Sequence, residues 1–560
     1  MTRLGRYLTP RAAALGLLLA FTLVIRIGVL VALQDNLRQD PDAYRNIADN
    51  LVWFRVYGMG TSRNQPPQPT AYRPPLYPLV LAKFASDDAG VVLWRVAVVH
   101  VILGLATVWL TWVVAGQLCE PRGLSPRTDD GTTERLSDGE KERDTILFRF
   151  AAGLLVACDP LLLHWSTLVM TETLATFLTV LCLFALNRFA ADPRPWNAGL
   201  AGGAIALAVL CRPTYLPWLA LVALTMLLLR NANPKRQRGT QFGAGLPTPP
   251  KGPTEGLPAS PEQETCGQPA GEVRRPAPNR LWRDWLWRGL NFAALILIAA
   301  CVLSPWAIRN YRVFGKPIVS TTHGGYTLLL ANNPWFYDYL RDDQSAIAWK
   351  VTQENPPPIT SDPSTWGPHD FATWWQWEKE RQFEVYTGGW RYGATTGLNG
   401  ERIVGHYHEA STEYRATELD EDRLAYQRAY ETIRDRKRTF SVSCLYRLRQ
   451  LWSPLPHRLT ADESLARMAM RYAVAAWYVA VYLLAAVGIW KLHSKLLAPP
   501  WLWGVLLCLV FTAVHTFYWT NLRMRAPLMP FVALVAAYGV SDLIRRVGPA
   551  TRQRRAGPPG

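Results

Sequence analysis

Ten apolar segments, each near the ~20 residues that a helix needs to cross a bilayer, constrain this chain more than any other feature. They run approximately over 12–33, 91–118, 147–164, 168–189, 197–211, 214–230, 287–307, 469–490, 499–519 and 525–544. In lipid, backbone N–H and C=O groups must be satisfied within the protein, so runs this long and this apolar are helices. The chain therefore reads as an α-helical integral membrane protein, a multi-pass bundle of about ten transmembrane helices. The first segment is too long, and too poorly flanked by a cleavage site, to be a signal peptide, and it reads as a retained helix.

Charge placement sharpens the topology. The chain carries a net charge of +17, which in a soluble protein would suggest nucleic acid as partner. Its distribution argues otherwise. From Arg309 to Glu463 there are 19 Lys/Arg against 20 Asp/Glu. The excess sits in short segments between apolar runs and at the ends: Arg3, Arg6 and Arg11; Lys235, Arg236 and Arg238; Arg274 and Arg275; Lys491 and Lys495; Arg545, Arg546, Arg552, Arg554 and Arg555. Lys and Arg concentrate on the cytoplasmic side of a membrane. An inside N-terminus followed by ten crossings puts all these clusters and the C-terminus inside, and residues 34–90 and 308–468 outside. The expected location is the cytoplasmic (inner) membrane, with membrane lipids as partners and no nucleic acid.

This topology divides the chain into eight parts. Residues 1–118 hold the first helix, an outer loop and the second helix. A polar cytoplasmic linker, 119–146, precedes the helices of 147–230. The insert 231–286 is so rich in Pro, Gly, Gln and Thr that it cannot bury enough apolar surface to offset its ordering entropy, and disorder is expected there. A helix over 287–307 leads into an extracytoplasmic domain, 308–468, with eight tryptophans, including Trp374, Trp375 and Trp377. Leu424, Tyr426, Ala429, Tyr430 and Ile433 approximate one apolar helical face, so this domain is expected to be mostly helical. C-terminal helices (469–544) and a basic tail (545–560) follow. Of eight cysteines, only Cys444 lies in the outer domain, which excludes a disulfide within it. No cysteine pair has a metal-ligand spacing, and no zinc motif, Walker loop or dinucleotide fingerprint is present. No cofactor and no metal ligand set is expected, although outer-loop carboxylates leave a divalent cation open.

The outer loops collect acids and arginines. The first contributes Asp40, Asp42, Tyr44, Arg73 and Tyr77; the others contribute Glu172, Arg212, Arg309, Arg523 and Arg525. Arginine presents a planar fork that matches phosphate oxygens; an arginine at a helix edge also snorkels to lipid headgroups. Arg523 and Arg525, followed by Pro527, depart from the inside-positive pattern. Glu172, at the outer start of a span, is a site candidate, with stabilisation of the helix dipole as its competing role. His164 and His323 read as hydrogen-bonded turn residues, and the tryptophans as interfacial anchors.

Six blocks occur in order: DPDAYRNIADNL, YRPPLYPLVLA, DPLLLHWSTLVMTETLA, LCRPTYLPW, SPWAIRNYRVFGKPIVST and RMRAPLMPFVALVAAYG. Together they resemble the GT-C glycosyltransferases, in the branch of the protein O-mannosyltransferases and the aminoarabinose transferases of lipid A. The resemblance implies a GT-C-type bundle and transfer of a sugar from a polyprenyl-phosphate donor to an acceptor hydroxyl on a protein, lipid or glycan, with inversion. A lipid phosphate is a stable leaving anion, so one carboxylate acting as base on the acceptor suffices; glycoside hydrolases need two. Tyr44, Ala48 and Leu51 match the family frame around its acid, which assigns the base to Asp40, with Asp42 as the alternative. Pro41 stands where the family has Glu. The local reading of Asp42 is a cap for the helix starting near Ala43. The resemblance implies a site role for Glu172 and donor-binding roles for Tyr44, Arg73, Tyr77, Arg212, Arg309, Arg523 and Arg525. A transporter or flippase of a lipid-linked or anionic saccharide is the alternative function. A non-catalytic envelope scaffold is a third.

Overall fold

The computed structural model describes residues 9–60, 67–86, 89–119, 138–228, 278–333, 336–337, 340, 390–396, 402–408, 418–456 and 463–547. Most of the linker 119–146, of the insert 231–286 and of the basic tail lies outside the described residues, as do Trp374, Trp375 and Trp377.

Every apolar segment falls on helix. In chain order these are α1 (Pro10–Ala32), α2 (Tyr44–Trp53), α3 (Leu76–Ala82), α4 (Ala89–Cys119), α5 (Asp138–Ala157), α6 (Pro160–Trp165), α7 (Glu172–Ala191), α8 (Pro195–Cys211), α9 (Tyr215–Leu228) and α10 (Pro278–Phe314). They continue with α11 (Gly324–Ala331), α12 (Glu418–Asp435), α13 (Lys437–Trp452), α14 (Leu465–Leu492), α15 (Leu502–Phe517) and α16 (Met529–Val547). Among the described residues six helical stretches are long and apolar enough to cross a membrane: Pro10–Ala32, Val91–Cys119, Glu172–Ala191, Trp285–Phe314, Leu465–Leu497 and Leu522–Ser541. The helices α8, α9 and α15 are apolar but shorter. The third expected span, 147–164, is divided. The helix α5 ends at Ala157, and Asp159 caps α6 by accepting the Leu162 N–H at 3.0 Å. Pro160 disfavours helical backbone at the residue before it, which places the break there.

Packing follows membrane rather than aqueous rules. On α1 the residues Leu18, Thr22, Arg26 and Leu30 turn inward, whereas Leu17, Phe21, Val24 and Val31 are exposed. An apolar outer face around a more polar inner stripe suits a lipid solvent; in water it would be an aggregation surface. Small residues let helices approach: a Cβ added to Gly202 of α8 would collide with the Leu295 backbone of α10. The chain is a multi-pass helical membrane protein.

A two-residue antiparallel pair, β1 (Gly58–Met59) with β2 (Gln68–Pro69), closes the loop after α2. The helix α13 is joined to α11 and α15 by Arg447, fully buried, which donates to the carbonyls of Ala331 (2.6 Å) and Thr516 (2.7 Å). The apolar face expected at 424–433 lies on α12, which is parted from α13 at Arg436. A hairpin of β3 (Trp390–Thr396) and β4 (Arg402–His408), in register Trp390↔His408, adds strand to a segment expected to be mostly helical.

Candidate active site

The loop after α1 forms a tight turn, Asp40–Ala43, closed by the Ala43 N–H to the Asp40 carbonyl at 3.1 Å. Ala43 sits in the left-handed region (φ 58°, ψ 25°), at a cost of roughly 1–2 kcal/mol for a residue with a Cβ. With Ala43 in the cap position, the side chain there cannot satisfy the first helical N–H groups. Asp40 does so from outside: its Oδ2 accepts from the Arg45 N–H (3.0 Å) and the Asn46 N–H (3.1 Å). The capping expected of Asp42 therefore belongs to Asp40.

Asp42 faces the other way, into arginines. Its Oδ1 lies 2.9 Å from Arg73 Nη2 and its Oδ2 3.3 Å from Arg523 Nη1. Arg73 also donates through Nε to the Asp42 carbonyl at 2.9 Å, so one guanidinium fork grips carboxylate and backbone together. Glu172 is the first residue of α7 and is 1% exposed. Its Oε1 lies 2.5 Å from Arg212 Nη2 and 3.4 Å from Arg523 Nε. Arg523 thus bridges both carboxylates. Local sequence positions each cation. Pro213 stops α8 at Cys211 and leaves Arg212 extended (φ −149°, ψ 120°), with its Nε donating to Thr171 Oγ1 at 2.9 Å. Asn521 Oδ1 accepts the Arg523 N–H at 3.1 Å and starts the 3-10 turn Leu522–Leu528. Two thioethers complete the setting: Arg523 Nη1 lies 3.4 Å from Met170 Sδ, and Arg212 Nη1 3.9 Å from Met524 Sδ. Three guanidinium groups against these two carboxylates leave a positive excess.

The two aspartates differ in proton affinity. Burial pushes the Asp40 carboxyl up to about 6, although the Asn46 N–H and the Arg45 charge oppose it. Burial would raise Asp42 too, but Arg73, Arg523, His323 and Arg212 outweigh it and hold that carboxyl well below the usual range. The Asp40 Oδ1 is buried and accepts no hydrogen bond among the described residues.

Aromatic rings wall the cluster. The Arg73 guanidinium stands 5.6 Å from the Tyr44 ring and 5.1 Å from the Tyr72 ring. His323 packs edge-on to Tyr72 at 4.1 Å and stacks on Tyr326 at 5.1 Å. Its Nε2 lies 3.4 Å from Arg73 Nη1. Tyr77 packs edge-on to Tyr44 at 5.3 Å, but its hydroxyl belongs to His100. His100 Nδ1 lies 2.8 Å from the Ser166 carbonyl, which can only accept, so Nδ1 carries the proton and Nε2 accepts from the Tyr77 hydroxyl at 2.9 Å.

Of the residues singled out in the sequence, the fold brings Asp42, Glu172, Arg73, Arg212 and Arg523 into one network, with Asp40 and Tyr44 beside it. Arg309 and Arg525 are placed elsewhere. Arg309 donates to the carbonyls of Thr70 and Tyr57, both at 2.7 Å. Arg525 is fully buried, donates to the carbonyls of Leu451 (3.1 Å) and Ser453 (2.5 Å), and lies 4.3 Å from the Tyr478 ring. His323, read in the sequence as a turn residue, stands beside the network; His100, which holds Tyr77, was not singled out in the sequence. Among the described residues no three His, Cys, Asp or Glu side chains are grouped so as to hold a metal ion.

No family model matches the chain, and no curated protein matches it. Among solved structures it is similar to the arabinosyltransferase EmbB from Mycobacterium smegmatis, at 14% identity and a TM-score of 0.29. That alignment covers 100% of this chain and 44% of the EmbB chain, so this chain spans less than half of that protein's length. A likeness at that level carries no argument about activity.

Proposed function

We propose that this chain is a membrane glycosyltransferase that moves a sugar from a polyprenyl-phosphate carrier to an acceptor hydroxyl at the extracytoplasmic face of a cytoplasmic membrane. The observation that carries the reading is the network of Asp42, Glu172, Arg73, Arg212 and Arg523, with its positive excess, beside one carboxyl whose proton affinity is raised. Arginine forks suit a phosphate that must be held as charge builds on it. The six ordered sequence blocks support the same reading.

In this reading Asp40 is the base. A carboxylate with a pKa of about 6 accepts a proton more readily than one held far lower by two arginines, and proton transfer improves as the base approaches the working pH. The acceptor hydroxyl gives its proton to Asp40 as its oxygen bonds to the anomeric carbon. The bond from that carbon to the phosphate oxygen breaks, and its electron pair leaves with the lipid phosphate, towards the arginines. A single displacement inverts the centre. Asp42 orients Arg73 and Arg523; Glu172 orients Arg212 and Arg523.

A transport site would gather ionisable residues near the bilayer midplane. Glu172 instead begins α7, and Arg212 follows the last residue of α8, which favours a reaction at the membrane surface. The test is the affinity of the purified protein for undecaprenyl phosphate, measured in nanodiscs. Wild type is expected to bind, and Arg523→Ala to bind at least about tenfold more weakly, as for loss of one charge-assisted contact. Absence of binding by wild type contradicts the proposal.

A further inference from the structure

Two loops that carry the site, 70–75 and 320–323, are not adjacent in sequence, and one carboxylate from a third element joins them. Glu418, the first residue of α12, accepts from Thr70 Oγ1 at 2.6 Å, from the Ala71 N–H at 2.8 Å, and from Thr322 Oγ1. The two loops also touch directly, the Thr322 N–H donating to the Ala71 carbonyl at 3.1 Å. The joint leads straight into the site. Arg73, which grips Asp42, is three residues beyond Thr70. His323, 3.4 Å from Arg73 and packed on Tyr72, is the residue after Thr322. One helical turn along α12, Asp422 Oδ1 accepts the Gly325 N–H at 2.7 Å, an N–H at the start of α11 that has no partner inside its own helix. From the other side, Arg309 holds the carbonyls of Thr70 and Tyr57, and Trp306 donates to the Ser320 carbonyl at 2.9 Å.

We propose that Glu418 is a positioning residue for the arginine network: by tying Thr70, Ala71 and Thr322 together, it sets where Arg73 and His323 stand against Asp42. The proposal rests on the glycosyltransferase reading and extends it to a residue far from the reacting atoms in sequence and not in contact with Asp42. The chemistry is specific to a carboxylate. Three donors converge on two acceptor oxygens, and hydrogen bonds to an ionised acceptor are roughly twice as strong as neutral ones. An amide at the same place retains one acceptor oxygen and turns two N–H groups towards donors. An alanine leaves all three donors to find other partners.

The test uses the full chain in nanodiscs, with Glu418→Ala, Glu418→Gln and, as a control on the same helix, Glu421→Gln. Hydrogen exchange reports the tie itself. Exchange at the Ala71 amide, which donates to Glu418, is expected to quicken about tenfold or more in Glu418→Ala, the factor expected for one lost hydrogen bond to a charged group; the Thr322 amide, which donates to the Ala71 carbonyl, should quicken less. Glu418→Gln should fall between, and α7 should be unchanged in all. Undecaprenyl phosphate affinity reports the consequence: it should fall in Glu418→Ala, less in Glu418→Gln, and not in Glu421→Gln. In turnover the donor KM should rise by more than kcat falls. Unchanged exchange in Glu418→Ala overturns the tie. Faster exchange with unchanged phosphate affinity reduces Glu418 to a structural residue and overturns the positioning role. Should Glu418→Ala fail to fold, Glu418→Gln carries both readouts. If wild type binds no undecaprenyl phosphate, the glycosyltransferase reading falls, and the positioning role falls with it.

Discussion

Replacing Arg212 by alanine strands a carboxylate, and the structure sets the size of the effect. The Glu172 side chain is 1% exposed and that of Arg212 11%, with 2.5 Å between Oε1 and Nη2. Removing one partner of a buried pair costs about 3–5 kcal/mol, because the other charge stays buried without compensation. Arg523 Nε remains 3.4 Å from the same oxygen, so the lower end, about 3 kcal/mol, is expected. If the loss comes from the stranded charge, neutralising that charge recovers part of it. Glu172→Gln keeps an acceptor oxygen for Arg212 but removes its counter-charge, and should cost about 2–3 kcal/mol; Glu172→Gln/Arg212→Ala should be more stable than Arg212→Ala by about 1–2 kcal/mol. The assay is reversible unfolding in mixed micelles titrated with sodium dodecyl sulfate, followed by tryptophan fluorescence. A double variant as destabilised as the sum of the two single ones would refute the reasoning, and would mean that water or headgroups already reach Glu172.

Further outcomes follow from the same contacts. The rate should show one acidic limb. Asp40 must be ionised to act as base, so activity rises as pH rises through about 6 and is lost below it; a rate unchanged from about pH 7 to about pH 5 would exclude Asp40. Arg525→Ala should destabilise by about 2–3 kcal/mol, leaving the buried Leu451 carbonyl and the half-buried Ser453 carbonyl without their donor, while phosphate affinity stays as in wild type; loss of affinity in a folded variant would return Arg525 to the site. Tyr77→Phe should lower stability by about 1–2 kcal/mol, since His100 Nε2 loses its donor; a stability equal to that of wild type would show that water takes the place of that hydroxyl.

What was legible in the sequence is what a bilayer imposes. Length and apolarity locate the helices because lipid leaves the backbone no other partner; they do not foresee the division of the third segment at Asp159–Pro160, nor that α8, α9 and α15 are shorter than a full crossing. The convergence of Asp42, Glu172, Arg73, Arg212 and Arg523 was legible as chemistry, acids and arginines at helix edges. Their pairing was not, because it depends on which way each loop turns. Asp40 and Asp42 illustrate this: a left-handed Ala43 rotates the turn so that Asp40 takes the helix N–H groups and Asp42 the arginines. Arg309 and Arg525 share the residue type and apparent location of Arg523. Two residues along one 3-10 turn separate Arg523, which faces Asp42, from Arg525, sealed against carbonyls, and no composition rule distinguishes them. His323 was passed over because a lone histidine in a turn is usually structural, and only its packing on Tyr72 and Arg73 marks it.

The most direct measurement is the fate of the carrier. Purified protein in liposomes would be given polyprenyl-phosphate sugars labelled in the sugar, with acceptors from the envelope, and the lipid and the label followed separately. The expected result is free polyprenyl phosphate with label in a product, for wild type and not for a folded Asp40→Asn. Donor that stays intact while crossing the bilayer, or turnover undiminished in Asp40→Asn, would contradict it.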